Sequence, residues 1–537
     1  MATSSERRFP VKAALALLAA VALLAGAHFY RDRSKGISPR LFADAVRFHW
    51  PRRPRPAGPP NVAPTVTTKA KAPGVPAPIS AVMADDALAM DPFYAQLYGL
   101  ETGKPQVVTV LHYGDSPTTA DLITGDVRAR LQTRFGDAGH GFNLPAKPWA
   151  WYSHREVELH DKGWDTNPVH ATGVGRMKQG SYGLGGATIV GSVGAHSEFR
   201  LAGAAQTGVQ LTYLAGPAGG TFTVGANNAT LASVDTHADA VAPMVSSIDL
   251  PAATRSVTLD VVTGTVTMYG VDFRRGNTGV LYDSMGLNGA TTTVLSRTVD
   301  PAAWKLQLAQ TRPSLIVINY GTNESQFHGL VQTLDKELRT AIDRTRASAP
   351  GVPILIMSPM DRGQRSRGDI VTNMEIPAIV AIQQRVAVDM HCAFFNTYAA
   401  MGGDGTMGRW YAAQPRLVTA DFIHPTPQGA AIVAGYMIDN LYLGYDRWKR
   451  MHGIAVGPGA THVTAPIVPV VPAHVPAPAL VIKLKPSVAR PMEDAPKSEE
   501  LIKDAPNKDA PKAAPAPPVE TPPVATPKSE PTAPAPQ

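Results

Sequence analysis

The chain has 537 residues, of which 49 are proline and 44% are hydrophobic, so packed domains must alternate with segments that build no core. A total of 50 lysines and arginines against 43 aspartates and glutamates gives a net charge of +7. The basic residues are interspersed rather than gathered into a stripe with aromatic residues between them, which argues against a nucleic-acid partner. A single cysteine, Cys392, excludes an internal disulfide and a cysteine-based zinc site.

The first segment, residues 1–35, has the features of an export signal. Basic residues precede an apolar run from Ala13 to Ala27, and aromatic residues extend it to Tyr30. Small residues at the end of the run suit cleavage after Ala27, whereas residues 13–30 approach the length of a membrane span. Secretion after cleavage and a retained anchor are both open. The longer run favours an exported protein, periplasmic or otherwise extracytoplasmic, anchored to the inner membrane by residues 13–30.

Two segments are too rich in proline to pack. Residues 36–87 contain RRPRPAGPPNVAP and KAPGVPAPIS, and residues 451–537 contain repeated Pro/Ala motifs with interspersed charges. Few large apolar residues accompany the prolines. We expect a disordered linker before the folded part and a disordered tail after it.

Between these segments the pattern predicts an α/β domain. Short continuous apolar runs at Val107 to His112, Leu315 to Asn319 and Pro353 to Met357 are each followed by a stretch with helical spacing. Such alternation is typical of a parallel sheet flanked by helices. We assign residues 88–142 and 276–450 to this discontinuous domain.

The intervening residues, 143–275, have a different texture. Segments such as VQLTYLAG, TFTVGANNATLASV and SVTLDVVTGTVTMYGVDF alternate apolar and polar residues between glycine, asparagine and proline turns. This is typical of antiparallel strands with one buried face. We therefore expect a β-sandwich, resembling a carbohydrate-binding module, inserted into the α/β domain.

The first predicted strand runs directly into Gly114, Asp115 and Ser116, with Pro117 next. A serine before a proline is a common helix N-cap, so Ser116 has a structural explanation. The carboxyl end of a strand is also where open α/β sheets place ligand chemistry, and a helix N-terminus favours developing negative charge. The local sequence leaves the N-cap and the nucleophile both open.

Partners for a nucleophilic serine occur far downstream. Asp421 and His424 lie three residues apart in DFIHPTPQG, before a helix that should begin near Pro427. A histidine can accept the serine proton when a carboxylate fixes its tautomer and orientation, although an isolated D-x-x-H can also simply cap a helix.

Two further motifs also follow predicted strands. SMGLNGA carries Gly289, and NYGTNE carries Asn323. A backbone N–H and an amide side chain are suitable donors to the oxyanion of an acyl-transfer transition state. Taken singly, these residues also fit a turn glycine and a loop asparagine.

Together the four motifs resemble the SGNH (GDSL) hydrolase superfamily, which implies a flavodoxin-like parallel sheet flanked by helices. The resemblance covers about residues 105–445 and is closer to bacterial peptidoglycan O-acetylesterases with an inserted β-sandwich. It implies a catalytic triad of Ser116, His424 and Asp421. The implied oxyanion donors are the N–H groups of Ser116 and Gly289 and the amide of Asn323. Pro117, which lacks an N–H, is compatible with this donor set.

Glu324 departs from the resemblance, because the family commonly has an aspartate after the asparagine of this motif. The implied activity is removal of O-acetyl groups from a cell-wall or extracellular polysaccharide, without a metal or other cofactor. An O-acetyltransferase using the same triad and a non-catalytic glycan-binding tether remain alternatives. The sequence does not determine the glycan, the acyl group or the oligomeric state.

Two groups of side chains near the insert are secondary candidates. Trp149, Trp151 and Tyr152 could stack on a sugar ring, although aromatic residues between domains are commonly packing residues. Four histidines have no paired-ligand spacing, which disfavours a metal site and favours a polar groove. They are His140, His154, His160 and His170.

Overall fold

A computed structural model describes residues 83–168 and 182–456. The predicted export signal, nearly all of the linker, the tail beyond residue 456 and His170 lie outside the described residues. Within the described ranges, no helix combines the length and apolarity that a membrane crossing needs.

The predicted α/β domain is confirmed, and it is built on a six-stranded sheet with the order β1-β17-β14-β13-β2-β12. Its strands are β1 (Met83–Ala84), β2 (Val107–Gly114), β12 (Gly279–Gly286), β13 (Leu315–Asn319), β14 (Ile354–Met357) and β17 (Ala393–Phe395). All pairings are parallel except that of β1 with β17. The central strands are continuous apolar runs because helices or the inserted domain cover both faces.

Helices pack on both faces of this sheet. The α-helices within the described residues are α1 (Asp91–Glu101), α2 (Ser116–Thr119), α3 (Leu122–Phe135), α4 (Pro301–Thr311), α5 (His328–Ser348), α6 (Glu375–Asp389), α7 (Thr397–Ala400), α8 (Thr406–Ala412) and α9 (Pro427–Met451). A π-helical turn spans Val294–Thr298 and a 3-10 turn spans Glu324–Gln326. One core lies under α1, α3 and α9, and a second lies under α4, α5 and α6 and continues into the inserted domain.

The all-β insert is also present. Its strands are β3 (Gly141–Asn143), β4 (Val157–Pro168), β5 (Ala187–Leu201), β6 (Gly208–Ala215), β7 (Thr221–Ala226), β8 (Ala229–Asp235), β9 (Ala242–Asp249), β10 (Ser256–Thr263) and β11 (Thr265–Arg274). They form one nine-stranded antiparallel network in the order β8-β7-β10-β5-β11-β6-β9, with β3 on β11 and β4 on β5. A short hairpin of β15 (Gly363–Ser366) and β16 (Asp369–Thr372) belongs to the α/β domain.

The network is folded at the middle of β5. Residues 189–192 of β5 pair with β11, whereas residues 196–200 pair with β10. At this point Gly163 of β4 and Gly194 of β5 both have positive φ, and β4 shifts register between Lys162 and Trp164. Strands that change partner at such bends form the corners of β-sandwiches. The layers are therefore joined through β5 rather than built as separate sheets.

Candidate active site

Ser116 lies at the junction of β2 and the four-residue helix α2. The structure corrects the N-cap interpretation: Asp115 is the N-cap residue, Ser116 is the first helical residue, and no side chain caps the helix. The chain turns into the helix one residue earlier than predicted because Asp115 carries the extended backbone, with φ −97° and ψ −152°. The Ser116 hydroxyl is thereby free to point at another part of the fold.

That hydroxyl meets His424. The distance from Ser116 Oγ to His424 Nε2 is 2.7 Å, although the residues are 308 positions apart in the sequence. On the other side of the ring, His424 Nδ1 lies 2.7 Å from Asp421 Oδ2. If Nδ1 carries the proton and donates it to the carboxylate, Nε2 is an acceptor for the serine O–H. The geometry therefore suits general-base activation of Ser116.

The carboxylate of Asp421 is held by several donors. Its Oδ1 accepts hydrogen bonds from Thr419 Oγ1 at 2.6 Å, Ile423 N at 2.9 Å and His424 N at 3.1 Å. Partial burial by itself would raise the pKa of Asp421, but the bonds from Thr419, His424 and the backbone outweigh it and lower the pKa to about 2. Asp421 is therefore ionised at neutral pH and can stabilise a protonated His424.

The loop that carries these two residues is a tight structure of its own. Thr419 N donates to His424 O at 2.8 Å, and Thr426 N donates to Leu417 O at 3.0 Å. Phe422, between the two functional residues, has φ +62° and is buried. A positive φ at an aromatic residue is strained and persists only where surrounding contacts hold it. The loop is thus fixed in advance of any substrate.

Gly289 and Asn323 follow β12 and β13, the two strands that border β2, so their loops leave the sheet at the same edge as Ser116. Gly289 follows β12 in a turn with φ +72°, and a Cβ built there meets nothing within 4 Å. Asn323 Nδ2 donates one hydrogen bond to Ala290 O at 2.8 Å. An amide nitrogen carries two protons, so one remains for a substrate oxygen. The oxyanion role of both residues stays a prediction that this arrangement favours.

Glu324, noted in the sequence only as a departure, links the two loops. Its side chain is buried, and Oε1 accepts from Thr292 N and from Thr292 Oγ1, both at 2.8 Å. Burial raises the pKa of Glu324. Together with the bond from Asn323 to Ala290, this contact ties the Asn323 loop to the Gly289 loop. No sequence pattern indicates the contact between Glu324 and Thr292, because the two residues belong to different motifs.

Shortening this side chain should therefore impair the reaction. We expect Glu324→Asp to lower kcat on a small acetyl ester about 10- to 100-fold, because the shorter carboxylate no longer reaches Thr292 and the donors lose their spacing. Glu324→Gln keeps the length and one acceptor oxygen, so it should stay close to the unmodified protein. Steady-state kinetics of both variants test this, and equal kcat values for the two would contradict it.

The three aromatic candidates have different environments. Tyr152 is buried, and its hydroxyl accepts from Leu144 N at 2.7 Å, so the prediction that its ring stacks on sugar is wrong. Trp149 is half-buried against the core. Trp151 is 55% exposed. Its loop approaches the nucleophile, since Ser153 Oγ donates to Ala120 O, just after α2, at 3.5 Å. Trp151 is therefore the aromatic residue available to a ligand.

Two of the histidines lie in a buried cluster rather than in a groove. His140 Nε2 is 3.4 Å from His154 Nδ1, and both rings are near Asp121. Burial lowers the pKa of both histidines, that of His154 to about 4. His160 instead lies at the surface beside Glu158.

Two histidines and a carboxylate resemble a metal-ligand set. The Asp121 carboxylate is already used, because Oδ1 accepts from Thr124 Oγ1 and Arg128 Nη1, and Oδ2 accepts from Arg128 Nη2 and Arg155 N. A buried guanidinium on this carboxylate repels a second cation. The donor set does not fit a metal ion, and the cluster is built around an ion pair.

Comparisons with known proteins agree with this geometry. Residues 253–432 match the GDSL-like Lipase/Acylhydrolase family, a range that includes Gly289, Asn323, Asp421 and His424 and begins after Ser116. Among solved structures, a peptidoglycan O-acetylesterase is 22% identical with a TM-score of 0.59, covering 68% of this chain and 100% of that one. No curated protein matches the sequence.

Two further solved structures have lower TM-scores. An acetylxylan esterase from Geobacillus stearothermophilus, in a catalytic mutant form, is 18% identical, with a TM-score of 0.24 and coverage of 30% of this chain and 72% of that one. A Bacillus subtilis protein is 12% identical, with a TM-score of 0.27 and coverage of 55% and 91%. Of these three structures, the O-acetylesterase alone has a TM-score above 0.5, so the similarity of fold is argued from that structure. The match over residues 253–432 and the shared fold support an ester-hydrolysing enzyme of the SGNH (GDSL) type.

Proposed function

We propose that the protein is an exported serine esterase that removes O-acetyl groups from a cell-wall or extracellular polysaccharide. The observation that carries the proposal is the continuous chain from Ser116 Oγ through His424 to Asp421, with 2.7 Å at each contact. Such a chain performs acyl transfer from an ester to the serine without a metal ion.

The steps follow from the positions of these groups. Ser116 Oγ attacks the acetyl carbonyl carbon while His424 Nε2 takes the serine proton, and Asp421 stabilises the resulting imidazolium. The developing oxyanion accepts hydrogen bonds from the Ser116 and Gly289 N–H groups and from the Asn323 amide. His424 then protonates the departing sugar oxygen. Water, deprotonated by His424, attacks the acetyl-enzyme, and acetate leaves with Ser116 regenerated.

The exposure of the triad favours hydrolysis over transfer to a second sugar. The side chains of His424 and Asp421 are 40% and 46% exposed. An acetyltransferase has to keep water from its acyl-enzyme, which an open site does not do. Acetate release measured with and without an acceptor glycan separates the two activities. The other alternative, a non-catalytic tether, does not explain the hydrogen bonds that join Ser116 to Asp421 through His424.

The glycan and the location are supported by different observations. The similar solved structure is described as a peptidoglycan O-acetylesterase, and this chain exposes Trp151 in a loop whose Ser153 contacts Ala120, just after the helix that begins with Ser116. Export is supported by the basic and apolar pattern up to Tyr30. An anchor in the inner membrane would hold the enzyme beside the wall polymer.

The test is acetate release by the full chain from O-acetylated peptidoglycan and from acetylated xylan, with the Ser116→Ala variant as the blank. Serine-dependent release from peptidoglycan is the expected result. Release from acetylated xylan alone would show that the substrate is a polysaccharide other than peptidoglycan. Absence of serine-dependent release from either polymer and from a small acetyl ester would contradict the esterase itself.

Trp151 provides a second prediction. Replacing Trp151 by alanine should raise KM for the polymer about 2- to 12-fold, since aromatic stacking contributes about 0.5–1.5 kcal/mol. The effect on a small acetyl ester should be much smaller, and Trp151→Phe should restore most of the affinity for the polymer. Equal losses on polymer and small ester would show that the ring supports the loop instead of binding sugar.

A further inference from the structure

We propose that three arginines beside the triad bind a carboxylate of the substrate, so that the enzyme prefers an anionic acetylated glycan to a neutral one. Arg362, Arg365 and Arg416 are here called the arginine rim. The inference rests on the proposed function, since it concerns the substrate of that same site. No sequence pattern indicates this rim, because basic residues are scattered along the chain and only the fold brings these three together.

Arg362 is the innermost member of the rim. It follows β14 and is half-buried, with Nη1 donating to Thr322 O at 3.0 Å and to Ser325 Oγ at 2.9 Å. These contacts place it against the loop that carries Asn323. Its charge interacts with Asp115, which directly precedes the nucleophile, and with Asp421, which belongs to the triad. Burial raises the pKa of Asp115 to about 7, so Asp115 neutralises Arg362 only in part.

The other two members lie on an aromatic stack behind the triad loop. The Arg365 guanidinium is 4.9 Å from the ring centroid of Phe422, and the Arg416 guanidinium is 4.2 Å from that of Tyr411. The two rings meet edge to face at 4.9 Å. Phe422 separates Asp421 from His424, so both guanidinium groups are held next to the catalytic loop. Stacking on a ring face leaves the N–H edge of a guanidinium free to bind an anion.

Backbone contacts fix this arrangement. Gly363 N, in the β15 strand that carries Arg365, donates to Phe422 O at 2.9 Å. Thr426 Oγ1, two residues after His424, donates to Arg416 O at 2.9 Å. The segments bearing the two exposed arginines are therefore tied to the catalytic loop from both sides, and the rim is preorganised rather than formed by mobile side chains.

The charge of the rim is compensated only in part, through the interaction of Arg362 with Asp115 and Asp421. Within residues 83–168 and 182–456, no rim arginine forms an ion pair, whereas the buried or half-buried Arg128, Arg134, Arg274, Arg275 and Arg339 each have an acidic partner. The exposed acids of the adjoining segments are Asp369, Asp404 and Asp421, and Asp421 is engaged by His424. Unpaired guanidinium groups beside a catalytic site are a recognition surface for carboxylates, whose geometry matches the guanidinium fork.

This arrangement distinguishes substrates by charge. Acetylated xylan is a neutral polymer, so it offers the rim no partner. A wall polymer with peptide carboxylates and a polyuronate with sugar carboxylates both offer the chemistry that the rim binds. Because the rim flanks the triad, the carboxylate should lie within a sugar unit or two of the acetyl ester.

The experiment compares matched substrates with the full chain. Acetate release is followed from O-acetylated peptidoglycan with free carboxylates, from the same material after amidation of those carboxylates, and from acetylated polygalacturonate. We expect amidation to lower kcat/KM about 3- to 10-fold, and 0.5 M NaCl to remove most of that preference. Preference for the polygalacturonate over the peptidoglycan would identify the sugar carboxylate as the partner.

Variants assign the preference to the rim. Arg365→Gln combined with Arg416→Gln should reduce the ratio of kcat/KM for charged over amidated substrate to about one. The matched control is Arg447→Gln combined with Arg450→Gln, which removes the same two charges from the exposed surface near the far end of α9 and should leave the ratio unchanged. The proposal would be overturned by an unchanged kcat/KM ratio in the double variant. It would also be overturned if the unmodified protein had equal kcat/KM on charged and amidated substrate. Loss of all serine-dependent release from the unmodified protein would instead count against the proposed function.

Discussion

Ser116→Ala should abolish nearly all turnover, with kcat on a small acetyl ester falling on the order of 10⁴- to 10⁶-fold. The variant removes the atom that receives the acetyl group, and only binding and the oxyanion donors remain to accelerate hydrolysis. Pre-steady-state measurements should show loss of the acetyl-enzyme burst together with loss of steady-state release. His424→Ala should have an effect of similar size, and the double variant should be hardly worse than either single one, because the two residues act as a unit.

The control for this prediction is Ser192→Ala. Ser192 is an exposed serine on β5 of the inserted domain, and its hydroxyl contacts Thr265 at a long 3.5 Å. Its replacement should leave kcat and the free energy of unfolding unchanged. Retention of more than about a hundredth of the activity by purified Ser116→Ala would assign the chemistry to another nucleophile.

Asp121→Asn should cost about 3–5 kcal/mol in the free energy of unfolding. The exchange leaves the Arg128 charge buried without its counter-ion, in a pair whose side chains are 6% and 0% exposed. Asparagine tolerates the positive φ of 53° at this position, so backbone strain does not add to the loss. Urea unfolding followed by circular dichroism measures it.

The pH dependence of that difference has a definite sign. Burial alone would raise the pKa of Asp121, but the Arg128 guanidinium outweighs burial and holds the pKa well below its usual range. A carboxyl with a depressed folded pKa contributes stability above its unfolded pKa of about 3.9 and loses it as the pH falls toward the folded value. The gap between the unmodified protein and Asp121→Asn should therefore be full at pH 7 and shrink below about pH 4.

Asp126→Asn is the matched control for the buried pair. Asp126 forms an ion pair with Arg155 in which the side chains are 19% and 41% exposed, so water reaches this pair, unlike that of Asp121 and Arg128. An exposed pair contributes less than about 1 kcal/mol, so this variant should unfold close to the unmodified protein. Equal losses in the two variants would mean that burial of the Asp121 pair does not set its contribution.

The sequence was sufficient to predict the α/β fold, because its central strands are continuous apolar runs and each reactive motif follows one of them. The motif resemblance also selected Ser116, His424 and Asp421, which the fold brings into hydrogen-bond contact. Spacing alone could not do so, since Ser116 and His424 are separated by 308 positions.

Features that depend on side-chain packing could not be predicted from the sequence. Tyr152 and Trp151 are neighbours in a short aromatic segment, and nothing in the pattern indicates that one ring is buried while the other faces solvent. Glu324 and the arginine rim act across motifs that are distant in the chain. The N-cap alternative for Ser116 falls one residue away, at Asp115, because helix ends depend on local backbone angles that composition specifies only weakly.

The insertion of the β-domain has a consequence for how the protein is made. Its strand pairings all lie between Gly141 and Arg274, so in the exported protein proposed above this unit can fold as soon as that stretch has crossed the membrane. By contrast, β2 must wait for β12 and β13 to be synthesised, and its serine waits for His424. Such long-range pairings fold slowly, because chain entropy is lost before the contacts form. The growing chain therefore carries a finished β-domain while it is still catalytically inert, and esterase activity first becomes possible in the final stage of synthesis of the hydrolase domain.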